Sequence, residues 1–173
     1  GQWPHHDIDF SGQRVGIIGT GSSAVQAIPV IAEQAQHLTV FQRTPNFSVP
    51  ARNEPLDPET EKSVKADYAG FRELANAAPF AANFVVNEKT ALECSQEERN
   101  AEYERRWDQG GLGFVAAFSD LIVDKEANDT AADFVRGKIR DVVKDPAVAE
   151  LLCPNSVVAC KRLCADTDYY ETY

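Results

Sequence analysis

Between Arg14 and Thr44 the chain reads RVGIIGTGSSAVQAIPVIAEQAQHLTVFQRT, a stretch that leaves few ways to fold. Arg14 to Ile18 is a short apolar run, and it enters Gly19-Thr20-Gly21-Ser22-Ser23-Ala24. After that turn, Val25, Ile28, Ala32 and Ala35 recur at helical spacing and predict one buried helix face. Pro29 lies inside that helix and is expected to bend it. A second strand is predicted from Leu38 to Gln42, so the whole segment reads as strand, glycine turn, helix and strand. The turn is a GxGxxA form of the dinucleotide-binding fingerprint, in the context that gives the motif its meaning. Gly19 suits the tight turn off the strand. Gly21 leaves room for a pyrophosphate to approach the backbone N–H groups at the helix N-terminus, where partial positive charge lies. Ala24 replaces the third glycine with the smallest possible side chain. The second strand runs into Arg43-Thr44, where an NAD site carries an acidic residue for the ribose 2′-hydroxyl. A planar, permanently charged guanidinium instead suits a 2′-phosphate, and Thr44 adds a hydroxyl. The site is therefore read as selective for NADPH; the plainer alternative is an ordinary βα turn with a solvated strand-end cation.

Composition narrows the partners. The 173 residues suffice for one domain with a real core. A formal net charge of −10 argues against nucleic acid or an anionic membrane as partner, since either requires clustered cations. No apolar run approaches the roughly 20 residues of a spanning helix, and the N-terminus lacks the regions of a signal peptide, so a soluble cytoplasmic protein is expected. Cys94, Cys153, Cys160 and Cys164 lack paired CxxC spacing and are expected to be reduced thiols. Cys160 and Cys164, which bracket Lys161-Arg162, would otherwise be metal ligands or a redox pair. His5-His6 is read as a surface pair rather than a ligand set. The chain contains no methionine, even at position 1, so Gly1 is not read as the biological start.

Beyond Asn53 the pattern turns helical. Asp57-Pro58 reads as an N-cap and first-turn proline, followed by Val64, Tyr68, Phe71 and Ala75 on one predicted helix face. Ser95-Gln96-Glu97-Glu98 is a capping box opening a helix with Tyr103 and Trp107 one turn apart, and Gly110-Gly111 stops it. Ala131, Val135, Ile139 and Val142 form another stripe, and Asp145-Pro146 ends that helix and caps a short one through Leu152. The expected organisation is a loop at 1–12 leading into a nucleotide-binding unit to residue 53, a helical insert over 54–152, and a return segment over 153–173 with the Lys161-Arg162 pair. The aromatic stripes are read as core and the charged helix residues as solvated faces.

Four segments, WPHHDIDFSGQRVGIIGTGSSAVQ, VFQRTPNFSVPARNEPLDPE, DPAVAELLCP and KRLCADTDYYETY, together resemble the NADPH-binding domain of Baeyer–Villiger monooxygenases. Trp3-Pro4 is similar to the end of that family's F-x-G-x-x-x-H-x-x-x-W-P fingerprint, which makes the chain look like an internal piece of a longer protein. The resemblance implies an α/β fold: a Rossmann-type NADPH-binding domain with a large helical insert, in a flavoprotein with two dinucleotide-binding domains. It implies FAD and NADP as cofactors, with FAD held mainly by an FAD domain outside this chain. The implied reaction is reduction of FAD by NADPH, uptake of O₂, and insertion of one oxygen atom beside a ketone carbonyl to give an ester or lactone and water. By the same resemblance Thr20, Gly21, Ser22, Ser23, Ala24, Val25 and Gln26 would line the pyrophosphate, and Arg43, Thr44 and Lys161 would surround the 2′-phosphate. Arg162 matches the family's catalytic arginine. Two alternatives stand beside this one: a heteroatom-oxygenating flavin monooxygenase, and an NADPH-binding redox-sensing module without catalysis.

Overall fold

A computed structural model describes residues 4–78 and 81–173; Trp3, half of the Trp-Pro pair, lies outside them. The predicted βαβ unit is present. Arg14–Ile18 forms β1, Ser22–Gln34 forms α1 and His37–Phe41 forms β2, starting one residue before the expected Leu38. The two strands pair in parallel with Val15 opposite Leu38 and Ile17 opposite Val40. Side chains alternate across a strand, so Ile17, Leu38 and Val40 pack toward the core while Ile18 and Phe41 point to the other, bare face. Helix α1 runs unbroken through Pro29. Its buried residues are Val25, Ile28 and Ile31, with Ala32 and Ala35 only half-buried, because isoleucine offers the core more apolar area than alanine at the same turn.

A second parallel pair joins distant parts of the chain. Ser48–Pro50 (β3) pairs with Cys164–Asp166 (β4), Ser48 opposite Cys164 and Pro50 opposite Asp166. Both strands are three residues long and largely buried, so neither displays the alternation from which strands are read.

The helix predicted across Val64–Ala75 is two helices, Pro58–Ala66 (α2) and Tyr68–Ala77 (α3). Asp67 breaks them: at φ −139° and ψ 66° it leaves helical geometry, and its carboxylate accepts the Gly70 N–H at 3.0 Å as the cap of α3. Neither helix has a buried residue, and Phe71 and Leu74 are exposed. Periodicity identifies residues that share a face; it does not supply a surface to cover them.

The main core lies in the helices that follow. Gln96–Gln109 (α4) opens with the expected capping box at Ser95 and Glu98 and stops at Gly110, whose φ of +74° is the left-handed region open to glycine. Lys125–Val142 (α5) is capped by Asp124, and Pro146–Leu152 (α6) by Asp145. Between α4 and α5 a 3₁₀ turn, Leu112–Ala116, inserts Phe114. Tyr103 lies 5.7, 5.3 and 5.3 Å from the Phe114, Phe118 and Phe134 rings, and Ala131, Val135 and Ile139 complete the layer. Val25 and Ile28 of α1 and Phe47 and Val49 of the β3 segment belong to the same buried cluster. The architecture is α/β, and among the described residues no helix is long and apolar enough to cross a membrane.

Candidate functional site

At the end of β1 the chain must turn sharply. Gly19 does this with φ +96°, and its N–H donates to the Phe41 carbonyl at 2.8 Å, fastening the turn to the end of β2. Gly21 is the N-cap of α1 at φ −82°, a backbone angle any residue adopts. Its use is spatial: a Cβ built there meets no atom within 4 Å, so the approach to the helix end is open. No side chain caps α1, and its first turn carries no acid. Its leading N–H groups therefore have no helical acceptor and face outward with the positive end of the dipole.

The residues of this turn divide into two sets. Thr20 is buried, and its hydroxyl donates to the Thr44 carbonyl at 3.4 Å while Asn46 donates to the Thr20 carbonyl at 2.8 Å. Val25 belongs to the core, and the Gln26 amide donates to the Ala165 carbonyl on β4. Those three side chains hold the turn against neighbouring segments. Gly21, Ser22 and Ser23 remain exposed and Ala24 is half-buried; burial pushes up the pKa of the Cys164 thiol, with the Ser22 side chain opposing that shift.

Parallel pairing brings the predicted cations to the same end of the fold. Because β3 and β4 run in one direction, the segments that precede them, Arg43–Phe47 and Lys161–Leu163, leave the same end of the ladder. The Cys164 N–H to Phe47 carbonyl bond, at 3.0 Å, closes that end. Thr44 and Asn46 are themselves tied to Thr20, so the glycine turn belongs to this group of loops. Arg43, Lys161 and Arg162 are exposed, and among the described residues none of them makes a hydrogen bond or ion pair. Arg105, Lys138 and Arg140, by contrast, are each paired with a glutamate.

Arg162 and Lys161 have different surroundings. Arg162 lines a groove of about 790 Å³ whose other walls are apolar, including Phe84, Leu112, Val115, Ile122 and Leu163; Lys161 does not line it. A residue not singled out in the sequence shapes one side of this groove. Arg106 of α4, read as part of a solvated face, is 6% exposed. Its guanidinium donates to Glu102 at 2.8 Å and to the Val85, Ala116 and Gly113 carbonyls at 2.8, 3.1 and 3.4 Å. It thus ties the 82–85 strand of loop to the 3₁₀ turn, and both contribute groove walls. Burial is the largest single influence on the Glu102 carboxyl and raises it, but the hydrogen bonds and charges of Arg105 and Arg106 together outweigh it and hold the carboxyl below the usual range.

The β3–β4 ladder contains a second unforeseen pair. The Ser48 hydroxyl lies 2.5 Å from Asp166 Oδ2 and 3.2 Å from the Cys164 carbonyl. Burial pushes the Asp166 carboxyl up, and Glu171 and Asp168 add to the shift; Ser48 and the Tyr169 N–H oppose it. A hydroxyl has one proton for two acceptors, so both contacts become hydrogen bonds when Asp166 is protonated and donates to Ser48. No sequence pattern marks this pair, or Asn46, because their partners are brought together by the tertiary fold.

No protein-family model matches the chain. It is 44% identical over 177 residues to a cyclohexanone 1,2-monooxygenase of Acinetobacter sp, a match over 99% of this chain and 32% of that protein. It is 43% identical over 176 residues to a Baeyer–Villiger monooxygenase of Pseudooceanicola batsensis, over 100% of this chain and 32% of that one. Among solved structures, an oxidized steroid monooxygenase bound to NADP superposes with a TM-score of 0.92 at 53% identity, covering 99% of this chain and 33% of its own. The chain thus spans about a third of the length of the curated relatives it matches.

Proposed function

Since this chain belongs to the Baeyer–Villiger monooxygenase family, we propose that it is the NADPH-binding portion of a flavin-dependent enzyme that converts ketones to esters or lactones. The observation that carries the reading is the open, uncapped N-terminus of α1 directly after a strand and a positive-φ glycine. In this reading residues 1–53 begin a Rossmann unit, 54–152 form its helical insert, and 153–173 return with the cationic pair.

The residues present fit the nucleotide. Past Gly19, whose N–H is taken by the Phe41 carbonyl, the turn through Ala24 offers N–H groups without a helical acceptor and the space above Gly21 to a pyrophosphate. Thr20, Val25 and Gln26 serve by holding the turn in place. Arg43, Thr44 and Lys161 stand at one end of the β3–β4 ladder, and the two cations are free to take a 2′-phosphate. NADPH supplies the hydride and FAD the oxygen-activating chemistry when bound, with FAD held mainly by sequence beyond this chain. Over the whole reaction a ketone, O₂, NADPH and a proton give an ester or lactone, water and NADP⁺.

Arg162 supplies the charge at the substrate. Its groove accepts the apolar body of a ketone, and its guanidinium is the one charged group among the lining residues. As the carbonyl carbon becomes tetrahedral, negative charge grows on its oxygen; a cation in apolar surroundings stabilises that charge more strongly than it would in water. A guanidinium does so without giving up a proton. In the full-length enzyme, Arg162→Ala is expected to retain NADPH-driven flavin reduction while ketone oxygenation falls by on the order of 10²–10³-fold. Ester formation at the normal rate would overturn the assignment.

A further inference from the structure

The backbone just before Arg162 is strained. Ala159 has φ +65°, in the left-handed region that disfavours a residue with a side chain, and it lies inside the turn closed by the Cys160 N–H to Val157 carbonyl bond at 3.2 Å. Such strain persists only where the surroundings over-determine it. Downstream, Leu163 is buried and Cys164 is fixed by the β4 ladder. Upstream, Val158 packs in the core and its backbone is held by a side chain from another element, Asn128 of α5, which is 1% exposed. Its carboxamide accepts the Val158 N–H at 2.8 Å and donates to the Val158 carbonyl at 3.0 Å and the Leu121 carbonyl at 2.8 Å. Val158 is thus held through both of its backbone polar groups. Leu121 precedes Ile122, and Val158 precedes Ala159; both of those followers line the groove beside Arg162.

We propose that Asn128 is the positioning residue for Arg162, clamping the strained 157–160 turn so that the guanidinium enters the apolar groove. The proposal rests on the reading of Arg162 given above. Only a carboxamide has the donor and acceptor pair that matches one residue's C=O and N–H together with a second carbonyl. An aspartate would keep the acceptor and face two carbonyl oxygens with none of the needed donors. Arg106 acts on other segments, the loop at Val85 and the 3₁₀ turn, so the two clamps have separable signatures: one directs the charged group and the other shapes the apolar surface.

The test is made in the full-length enzyme with Asn128→Ala and, as a second variant, Asn128→Asp. Ketone turnover is expected to fall on the order of 10²-fold, the effect of displacing a reacting group by about an ångström. Flavin reduction at saturating NADPH should stay as in the native enzyme, so NADPH is consumed without ester, and NADPH KM should rise no further than in Lys161→Ala, since Lys161 leaves the same turn. A loss of NADPH affinity beyond that of Lys161→Ala would indicate general structural damage and overturn the proposal. Trypsin provides a readout independent of activity: cleavage after Lys161 or Arg162 should accelerate in both variants while cleavage after Arg72 in α3 is unchanged. Equal rates at 161–162 overturn the clamp. If neither variant folds, amide exchange in the native enzyme decides: a Val158 N–H exchanging as slowly as the centre of α5 supports the clamp, and fast exchange overturns it. Normal ester formation by Arg162→Ala refutes the underlying reading, whereas an inactive Arg162→Ala beside a fully active Asn128→Ala refutes only the clamp.

Discussion

The β1–α1–β2 unit and the α4–α5 layer are built on opposite plans. In the first, a two-stranded parallel sheet is covered on one face only, leaving Ile18 89% and Phe41 58% exposed on the other. Parallel sheets are ordinarily covered on both faces. In the second, Tyr103 is 1% exposed within a cluster of aromatic rings, and Val135 and Ile139 are fully buried. The unit with the clearer sequence motif is thus the more sparsely packed. The candidate site draws the groups proposed to bind ligand from the first unit and the return segment. It draws its rigidity from the second, through α1 side chains in the common core and through Arg106 and Asn128. The proposed recognition groups and the packed core occupy different parts of the chain.

Three experiments sharpen or break this division. The largest effect is expected at Tyr103, where Ala would remove a ring packed against three others and a hydroxyl bonded to Thr130 Oγ1 at 2.7 Å. Urea unfolding should register a loss of about 3–5 kcal/mol; a loss below about 1 kcal/mol would mean that the aromatic layer is not the main source of stability. Arg43→Ala should behave in the opposite way. Unfolding should move by no more than about 0.5 kcal/mol, the usual range for an exposed substitution. NADPH binding should weaken by about 10- to 100-fold with NADH binding unchanged, the size of a lost charge-assisted bond. Equal weakening for both nucleotides would show that Arg43 does not contact the 2′-phosphate.

The smallest effect is at Asp166, in the ladder that joins the two parts. Its folded pKa is raised, chiefly by burial, so the folded state holds a proton that the unfolded chain releases at about 3.9. The stability this contributes is fully present below that value and is lost as pH rises through the folded pKa. Asp166→Asn cannot ionise, and its amide can replace the donor to Ser48, so its stability relative to the native protein should increase with pH across that window. Urea midpoints for the two proteins at a series of pH values measure this, and a constant difference would mean that Asp166 titrates normally.

What was legible in the sequence was what is local. The Ser95 capping box, the Gly110 stop, the Asp145 cap and the Val135–Ile139 stripe each use partners within one or two helical turns, and each is found where the pattern puts it. The glycine turn belongs to the same class, since a positive φ and an uncapped helix end are decided within a few residues. The expectation of one helix through Tyr68 failed because apolar spacing outweighed a local signal equally present: Asp67, three residues before Gly70, is a cap. Arg106 departs from the expected solvated face for another reason. Its three carbonyl acceptors come from a loop and a turn outside α4, so nothing on the helix itself distinguishes it from its exposed neighbour Arg105.

The sequence by itself determined the strand–turn–helix unit, its open, uncapped helix end, the cation at the close of the second strand and the caps of the later helices, because dihedral preference and short-range hydrogen bonding set these. Its resemblance to a family also marked Lys161 and Arg162 as a pair. Only the tertiary structure decided that the pair is divided, with Arg162 in an apolar groove and Lys161 outside it. It also decided that a buried carboxamide thirty residues upstream holds the turn before them. The physical reason is that a buried polar group must find its partners wherever packing leaves them, and packing joins residues according to the shape of the whole chain rather than their order along it.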